Sequence, residues 1–434
     1  MRASFRFLLL TALLVLLLAS VSSAGDRELT LKECVDTALA QSPLIKSSEF
    51  DIEAAKESIK GAKGAMFPRV DLNAAYLKEN RNIPYIPAQS ITIPAKFSDE
   101  VYSWSAVLSM PIYAGGRLSG QVKVSELEND IQSSRRDFTV QDLIANVTNT
   151  FNKLLQLKEL RKANVYSVQA LERQRDNTEL LVKAGRAANV ELLRVEVQLA
   201  SEKQNLVRTE EAINRTRDAL AFLMGVDESR VRDVSGSLTR RESVSPDDVG
   251  KLVMMRPDVV AAGKKVEQEK ARVAIASGKR YPSLSLIGDY GNRAGAGFSD
   301  REEVWEAGAI VSVNIFDAGI ISSGIGRERA LYSKAQEDLK LTELRAKREA
   351  EDALSLFREA ENRFTLADKA LAQSAETLRI EGLKYKTGAG TITDVLLSES
   401  ALSLAQANYY QALYDYNAAI TEFKRATGTI EVKR

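Results

Sequence analysis

Two copies of one segment decide the fold: SMPIYAGG at residues 109–116 and SVNIFDAG at residues 312–319, which lie 203 positions apart. The same spacing relates Gly185 to Gly388. Between these points the two halves of the chain align without a gap. A unit of about half the chain is therefore used twice, and such a repeat constrains the architecture before any single motif does.

Upstream of this segment the spacing becomes 214 positions, between Pro43 and Pro257 and between Pro68 and Pro282. The first copy is therefore eleven residues longer than the second, and the extra residues lie between Pro68 and Pro111. Insertions collect in exposed loops, so this difference predicts a longer surface loop in the first copy.

The N-terminus has the pattern of a secretory signal peptide. Arg2 and Arg6 precede the apolar run FLLLTALLVLLLA at 7–19, and small residues follow, which predicts cleavage after Ala24. The run is shorter than the roughly 18 residues of a membrane-spanning helix, which disfavours an anchor. The mature chain is therefore predicted to leave the cytoplasm.

Composition excludes several classes of function. Without Arg2 and Arg6 the chain keeps 58 basic and 59 acidic residues, so no positive field would attract nucleic acid. Cys34 is the only cysteine, which excludes an intrachain disulfide, and we predict that it is buried in a helix. The chain has no histidine, which excludes zinc sites of the usual kind and Ser-His or Cys-His catalysis. We therefore expect no cofactor, no metal and no enzyme activity.

Four long segments lack the residues that break helices. Proline is absent from 112–245 and after 282, and glycine is absent from 121–184, 186–224, 327–381 and 391–427. Two glycine-marked turns, KAGRAAN at 183–189 and KTGAGT at 386–391, predict two antiparallel helical hairpins, with Asn189 and Thr391 as candidate N-caps. A helix from Gly116 to Gly185 would extend on the order of 100 Å. Its apolar face is marked by Leu143, Val147, Phe151, Leu154, Leu157 and Leu160.

Shorter helices precede the hairpins, at about 31–63 and 246–277, where Pro43 and Pro257 should start or kink a helix. Four segments with period-two alternation over roughly ten residues lie between the short helices and the long hairpins. The apolar positions are Val70, Leu72, Ala74 and Tyr76; Trp104, Ala106, Leu108 and Met110; Leu284, Leu286 and Tyr290; and Trp305, Ala307, Ala309, Val311 and Val313. They predict two β-hairpins with loops at about 80–100 and 291–302.

The alternation alone fits two structures: transmembrane strands with one face in lipid, or a half-buried sheet of a soluble protein. Four strands leave two open edges, which a bilayer does not tolerate, so membrane strands require several chains to close one barrel. Long amphipathic hairpins also need neighbours to cover their apolar faces. Symmetric self-assembly into a hollow tube meets both requirements. The stretch GNRAGAG at 291–297 lacks the lysine and helix of a phosphate-binding loop and is interpreted as a plain hairpin loop.

The sequence resembles the TolC-like outer-membrane efflux protein family over nearly all of the mature chain. The resemblance is carried by LTLKECVDTALAQSPLI at 29–45, the strand starts FPRVDL and YPSLSL, the repeated segment quoted above and KYKTGAGTITDVL at 384–396. It implies a mainly α protein with a β portion: a homotrimer in the outer-membrane lipid of a Gram-negative bacterium, with a twelve-stranded β-barrel and a periplasmic α-barrel. It further implies a passive exit duct, joined through a periplasmic adaptor to an inner-membrane pump of the RND or ABC type.

The resemblance divides the chain into segments with separate roles. The predicted boundaries are a signal peptide at 1–24, short helices at 25–67, β-hairpin 1 at 68–112, helical hairpin 1 at 113–225, an equatorial linker at 226–245, short helices at 246–281, β-hairpin 2 at 282–316, helical hairpin 2 at 317–428 and a tail at 429–434.

By the same resemblance the two glycine turns are the periplasmic tips. Tyr385 and Asp394 correspond to a gate tyrosine and an aperture aspartate, and Glu191 holds the acidic position of the first copy. The turn residues that would contact the adaptor are Gly185, Arg186, Gly388 and Gly390. The sequence departs from the family where Gly390 replaces an arginine and Leu397 replaces a second aspartate.

Other interpretations of these residues and of the chain remain open. The role of Glu191 and Asp394 could be limited to placing negative charge at helix N-termini, and the role of Tyr385 could be limited to packing at the tip. The whole chain could be a secreted or periplasmic structural coiled-coil protein without channel activity, or the adaptor itself, although an adaptor would not need four strands. An exit duct accepts what its pump delivers, so the sequence is compatible with drugs, metal ions and polypeptides as substrates.

Overall fold

A computed structural model describes residues 28–430 of the protein, except 89, 91, 232 and 241–248. The predicted signal peptide at 1–24 lies outside the described residues. The elements in chain order are α1 (Leu31–Gln41), α2 (Pro43–Gly64), β1 (Arg69–Ile86), β2 (Lys96–Tyr113), α3 (Arg117–Lys183), α4 (Asn189–Met224), α5 (Val249–Met254), α6 (Pro257–Gly278), β3 (Ser283–Ala294), β4 (Glu302–Ser312), α7 (Ile320–Lys386) and α8 (Ile392–Ala426).

The predicted mainly helical class with a small antiparallel sheet is confirmed. The four long helices are present, and α3 and α7 have 67 residues each, which corresponds to about 100 Å at 1.5 Å per residue. Pro43 and Pro257 are the first residues of α2 and α6, as predicted, because proline has no amide hydrogen to lose at the start of a helix.

The chain divides into two compact units. One consists of residues 48–135 and 257–343 and contains the sheet; the other consists of residues up to 47, 136–256 and 344–434 and contains the hairpin turns.

The sheet has four antiparallel strands in the order β1-β2-β3-β4. Its register places Ala74, Trp104 and Asn292 in one transverse row, and Leu72, Ala106 and Tyr290 in the next row on the same face. The alternation predicted from the sequence is therefore in phase across the strands, and one face is apolar. The members of the apolar face are Val70, Leu72, Ala74, Tyr76, Tyr102, Trp104, Ala106, Leu108, Met110, Leu286, Gly288, Tyr290, Trp305, Ala307, Ala309 and Val311.

The opposite face is polar. It encloses a hollow of about 280 Å³, to which Asn73, Ser105, Asp289 and Glu306 contribute. Many large apolar side chains of the other face are exposed in the single chain; Leu72, for example, has 75% of its surface accessible, and Trp305 has 71%. An exposed apolar face of this size requires an apolar environment or a partner.

The prediction of strand length was wrong for the first β-hairpin. β1 and β2 have 18 residues each, against 12 in β3 and 11 in β4. The loops, at 87–95 and 295–301, are therefore shorter than the predicted ones. The reason is that strand pairing uses backbone hydrogen bonds and does not require alternation, so the ladder resumes at Ile83 after an interruption at 79–82.

The second unit is built around an apolar cluster that joins both hairpin-1 helices to the short helices and the linker. Leu143, Val147, Phe151, Leu154 and Leu157 of the predicted apolar face are all buried. The cluster also includes Cys34, Leu220, Met224 and Val234. Burial of Cys34 confirms its predicted place, and burial and Glu33 raise the pKa of its thiol to about 11.

The second hairpin has its own cluster, formed by Phe357 and Ala360 of α7 and by Tyr416, Ala419 and Ile420 of α8. The linker lies over it, since the amide of Asn417 donates to the Thr239 carbonyl at 3.1 Å and the Arg240 guanidinium lies 5.1 Å from the Tyr416 ring centre. Residues 226–240 therefore connect the two hairpins structurally as well as covalently. The predicted division of the chain into functional segments stays a prediction.

Candidate functional site at the hairpin turns

The first turn closes α3 through a glycine in the left-handed region. Gly185 has φ +68°. Its N–H donates to the Val182 carbonyl at 3.0 Å, and the N–H of Arg186 donates to the Leu181 carbonyl at 2.8 Å. This pair of bonds is the Schellman motif, which satisfies the last carbonyls of a helix. The turn occurs at a glycine, as predicted, because left-handed backbone strains residues that have a side chain.

The second turn repeats this geometry 203 positions later. Gly388 has φ +77°, its N–H donates to the Tyr385 carbonyl at 3.1 Å, and the N–H of Ala389 donates to the Lys384 carbonyl at 2.8 Å. Gly390 adds a bond to the same Lys384 carbonyl at 3.2 Å. The duplication therefore extends to individual hydrogen bonds.

Gly390 lies close to the end of α7. A Cβ at this position would lie 3.0 Å from the Lys384 Cβ and 3.2 Å from the Tyr385 nitrogen. Both distances are tighter than ordinary van der Waals contact. A side chain at position 390 would therefore require the end of α7 to shift by a few tenths of an ångström.

The two turns differ in how they begin the next helix. Thr391 is the N-cap of α8 and forms a capping box: the Asp394 N–H donates to Thr391 Oγ1 at 3.2 Å, and the Thr391 N–H donates to Asp394 Oδ2 at 3.2 Å. The predicted cap at Thr391 is confirmed. The one at Asn189 was wrong, because Ala188 is the N-cap of α4 and makes no side-chain bond there, while Asn189 is already helical.

Asp394 is exposed and is held by this cap. The Thr391 hydroxyl donates to its carboxylate at 2.7 Å, and this bond, followed by the backbone N–H, lowers the pKa of Asp394. The carboxylate is therefore charged over the whole neutral range. Its position at the start of α8 also complements the helix dipole.

Tyr385 lies on the last turn of α7, half-buried. Burial raises the pKa of its hydroxyl, the nearby Glu191 carboxylate raises it further, and a hydrogen bond with Thr178 lowers it. The structure thus brings Tyr385 and Glu191 together across the two hairpins. Arg186, Gly185 and Gly388 are exposed at the turns.

A set of polar contacts between the helices of the two hairpins was missed from the sequence. Arg194 of α4 donates to the Thr393 hydroxyl of α8 at 2.6 Å. Farther from the turns, Ser167 donates to Glu399 at 3.1 Å, and Ser403 donates to Glu202 at 3.4 Å. Burial raises the pKa of Glu399, the hydrogen bond from Ser167 lowers it, and the carboxylate of Glu202, which is 3% exposed, raises it further. The only signal of these contacts is the presence of acidic residues on otherwise apolar faces of α4 and α8.

The turns hold no arrangement typical of a metal site. Across the described residues, no three or more Cys, Asp and Glu side chains stand where they could hold a metal ion. Among the helices that the structure describes, none is both long enough and apolar enough to cross a membrane.

Comparison with known proteins decides the family. The sequence profile of the Outer membrane efflux protein family matches residues 34–226 and 250–429, which include both copies of the repeat. The chain belongs to the outer membrane efflux protein family. The predicted resemblance is therefore confirmed.

Individual members of the outer membrane efflux protein family are similar over their full lengths. Outer membrane protein TolC of Vibrio cholerae is 23% identical over 426 residues, 95% of this chain and 93% of the relative. Outer membrane protein OprJ of Pseudomonas aeruginosa is 23% identical over 421 residues, 92% of this chain and 84% of the relative. The crystal structure of VceC from Vibrio cholerae has a TM-score of 0.77 at 19% identity and covers 92% of this chain and 96% of its own.

The family assignment fixes the location and the class of function. The protein is an outer-membrane efflux channel of a Gram-negative bacterium, with its helical part in the periplasm. The family and these relatives are transport channels, and the relatives work in tripartite systems with an adaptor and an inner-membrane pump.

Proposed function

We propose that three copies of this chain form a passive exit duct and that the channel needs no catalytic residue. The observation that carries the proposal is the sheet: β1 and β4 each have one edge without a partner in the described sheet, one face is apolar and the other is polar. In a bilayer, open edges cost several kcal/mol for each unsatisfied group. Four strands from each of three chains close a barrel with the apolar face in lipid and the polar face toward a lumen.

The lengths of the strands support a membrane position. β3 and β4 have 12 and 11 residues, and a tilted transmembrane strand needs about 9–11. Aromatic pairs lie on the apolar face, with the Trp104 and Tyr290 rings 6.1 Å apart and the Tyr76 and Tyr102 rings 4.9 Å apart. Such aromatic groups are typical of the interface between lipid and water.

The hairpin turns are proposed as the periplasmic end, with Tyr385, Asp394 and Glu191 at the gate and Gly185, Arg186, Gly388 and Gly390 in contact with the adaptor. Two exposed leucines support adaptor docking, because Leu180 and Leu383 are 65% and 58% exposed and each lies five residues before a turn glycine. The repeat thus presents two similar apolar positions per chain. The inner-membrane partner is proposed to be a pump of the RND or ABC type.

The assembly is tested by mass determination in detergent combined with conductance in planar bilayers. A trimer with stable single-channel current is expected. A monomer without current would favour a structural coiled-coil protein and overturn the proposal.

The gate is tested through Asp394, because three copies near an axis would attract cations and repel one another. Asp394→Asn removes the charge, and Thr391→Ala is the matched control that removes half of the capping box but keeps the charge. We expect reduced cation selectivity and weaker block by divalent ions only in Asp394→Asn. Equal effects of both variants would show that Asp394 acts through the helix cap.

A further inference from the structure

A large bulge interrupts the strand pairing of the first β-hairpin near its turn. Lys78 of β1 pairs with Glu100, but the next described pair is Ile83 with Ser98, so β1 advances five residues while β2 advances two. Three extra residues on one strand break the ladder. The paired segments Ile83–Ile86 and Lys96–Ser98, which lie beyond the bulge at 79–82, are called the flap.

The flap has no counterpart in the second hairpin. The last residue of β2 that pairs with β3 is Tyr102, which leaves six residues, Lys96–Val101, beyond the end of the shared sheet. If they continued straight, they would project about 20 Å at 3.4 Å per residue. Instead Tyr85 and Ile86 are only 4% and 3% exposed, packed with Val101. A flap that buries a tyrosine within a single chain is folded down on its own strands.

Contacts of side chains and backbone hold the flap to the second hairpin, and they include an Ala296 N–H that donates to Ser98 Oγ at 3.1 Å. Lys96 Nζ lies 2.9 Å from Glu302 Oε1, and Arg293 Nη1 donates to the Tyr85 carbonyl at 3.5 Å. The Tyr85 hydroxyl donates to the Asp300 carbonyl at 3.4 Å. These contacts are called the latch.

The register shows toward which face the flap folds. Arg293 and Glu302 are a directly opposed pair, and they alternate with Asn292 and Glu303 of the neighbouring row, so their side chains lie on the polar face. Val101, which packs under the flap, has the same phase, since it alternates with Tyr102 of the apolar face. The latch therefore attaches the flap on the polar side of the sheet.

The geometry points to a hinged lid at the outer mouth of the channel: the flap, closed by the Lys96–Glu302 latch, narrows the exit and opens about the bulge at 79–82. The inference rests on the proposed trimeric barrel, in which the polar face is the lumen. Three lids, one from each chain, would limit the size of solutes that enter from outside while yielding to outward flow.

The test measures access to the lumen from outside the cell. In a Cys34→Ala background, Ser105→Cys places a thiol on the polar face, and intact cells are treated with a small impermeant maleimide or a polymer-linked one. Lys96→Glu puts a like charge against Glu302, and Lys96→Glu with Glu302→Lys restores the pair with reversed polarity. Ala106→Cys on the apolar face is the control for position.

We expect Lys96→Glu to raise the rate of polymer labelling about tenfold, which corresponds to about 1.4 kcal/mol of latch free energy. The charge reversal should restore the parental rate, and labelling by the small reagent should be the same in all variants. Equal polymer rates in all variants, or an increase that charge reversal does not correct, would overturn the lid. If the small reagent fails to label Ser105→Cys and no conductance is found, the barrel itself is wrong.

Discussion

Gly225→Ala should destabilise the protein far more than the same change at the hairpin turn, although both glycines have left-handed backbone. Gly225 has φ +67° and ends α4. A Cβ there would lie 2.8 Å from the Gln41 carbonyl oxygen and 2.9 Å from Pro43 Cδ. Neither atom belongs to a flexible side chain, so the short helices would have to move away from the hairpin.

The size of the effect follows from two contributions. Left-handed backbone costs a residue with a Cβ about 1–2 kcal/mol, and overpacking a tight site costs about 1–3 kcal/mol more. Gly388→Ala carries only the first cost, because nothing lies within 4 Å of its Cβ position. Gly428→Ala should be intermediate, since the nearest atom is Arg256 Cγ at 3.2 Å.

The measurement is denaturation in detergent, followed by helical circular dichroism at equal protein concentration. The expected order of destabilisation is Gly225→Ala, then Gly428→Ala, then Gly388→Ala. If Gly225→Ala and Gly388→Ala lost the same free energy of unfolding, the close packing of α1 and α2 against the end of α4 would be refuted.

Three further predictions follow from buried or shared charges. Burial and the Glu202 carboxylate raise the pKa of Glu399 above its ordinary value. The stability that Glu399 contributes is therefore complete below about pH 4.3 and is lost as pH rises through the raised pKa. Glu399→Gln should therefore be more stable than the parent at neutral pH, with the advantage vanishing in acid; denaturation midpoints at several pH values test this, and a constant difference contradicts it. Arg240→Ala should cost about 1 kcal/mol by loss of the contact with the aromatic rings, while Arg240→Lys should keep part of the pairing with Glu361, which lies 2.8 Å away; a thermal midpoint of Arg240→Lys equal to that of the parent would show that the guanidinium–ring contact is unimportant. Cys34, whose thiol pKa is raised to about 11, should resist maleimide in the folded protein and react on unfolding; rapid labelling of the native protein would show that the cluster around it opens.

The sequence was sufficient for the class of fold because its strongest signals are local. Long stretches without proline or glycine produce α3 and α7, and period-two alternation produces strands whose faces agree across the sheet. The turn glycines were also predictable from the sequence, because glycine adopts the left-handed backbone that ends a helix with little strain.

The parts that were wrong or missed depend on contacts between distant residues. Asn189 has the chemistry of an N-cap, but Ala188 precedes it and the helix begins one residue earlier. The extension of β1 beyond Lys78 carries no alternation, because its pairing uses backbone atoms. Nothing local marks Glu202 and Glu399 as neighbours, since they lie on helices of different hairpins.

The amino-acid sequence by itself determined that this protein is a duplicated pair of helical hairpins with four strands, because helix and strand periodicity and helix-ending glycines act over a few residues. Only the tertiary structure decided where the two copies of the repeat differ in their packing. Packing at the turn confines Gly390 against α7, and the bulge in β1 folds the longer outer hairpin onto the polar face. Both outcomes arise from close approach of segments far apart in the chain, which no local pattern specifies.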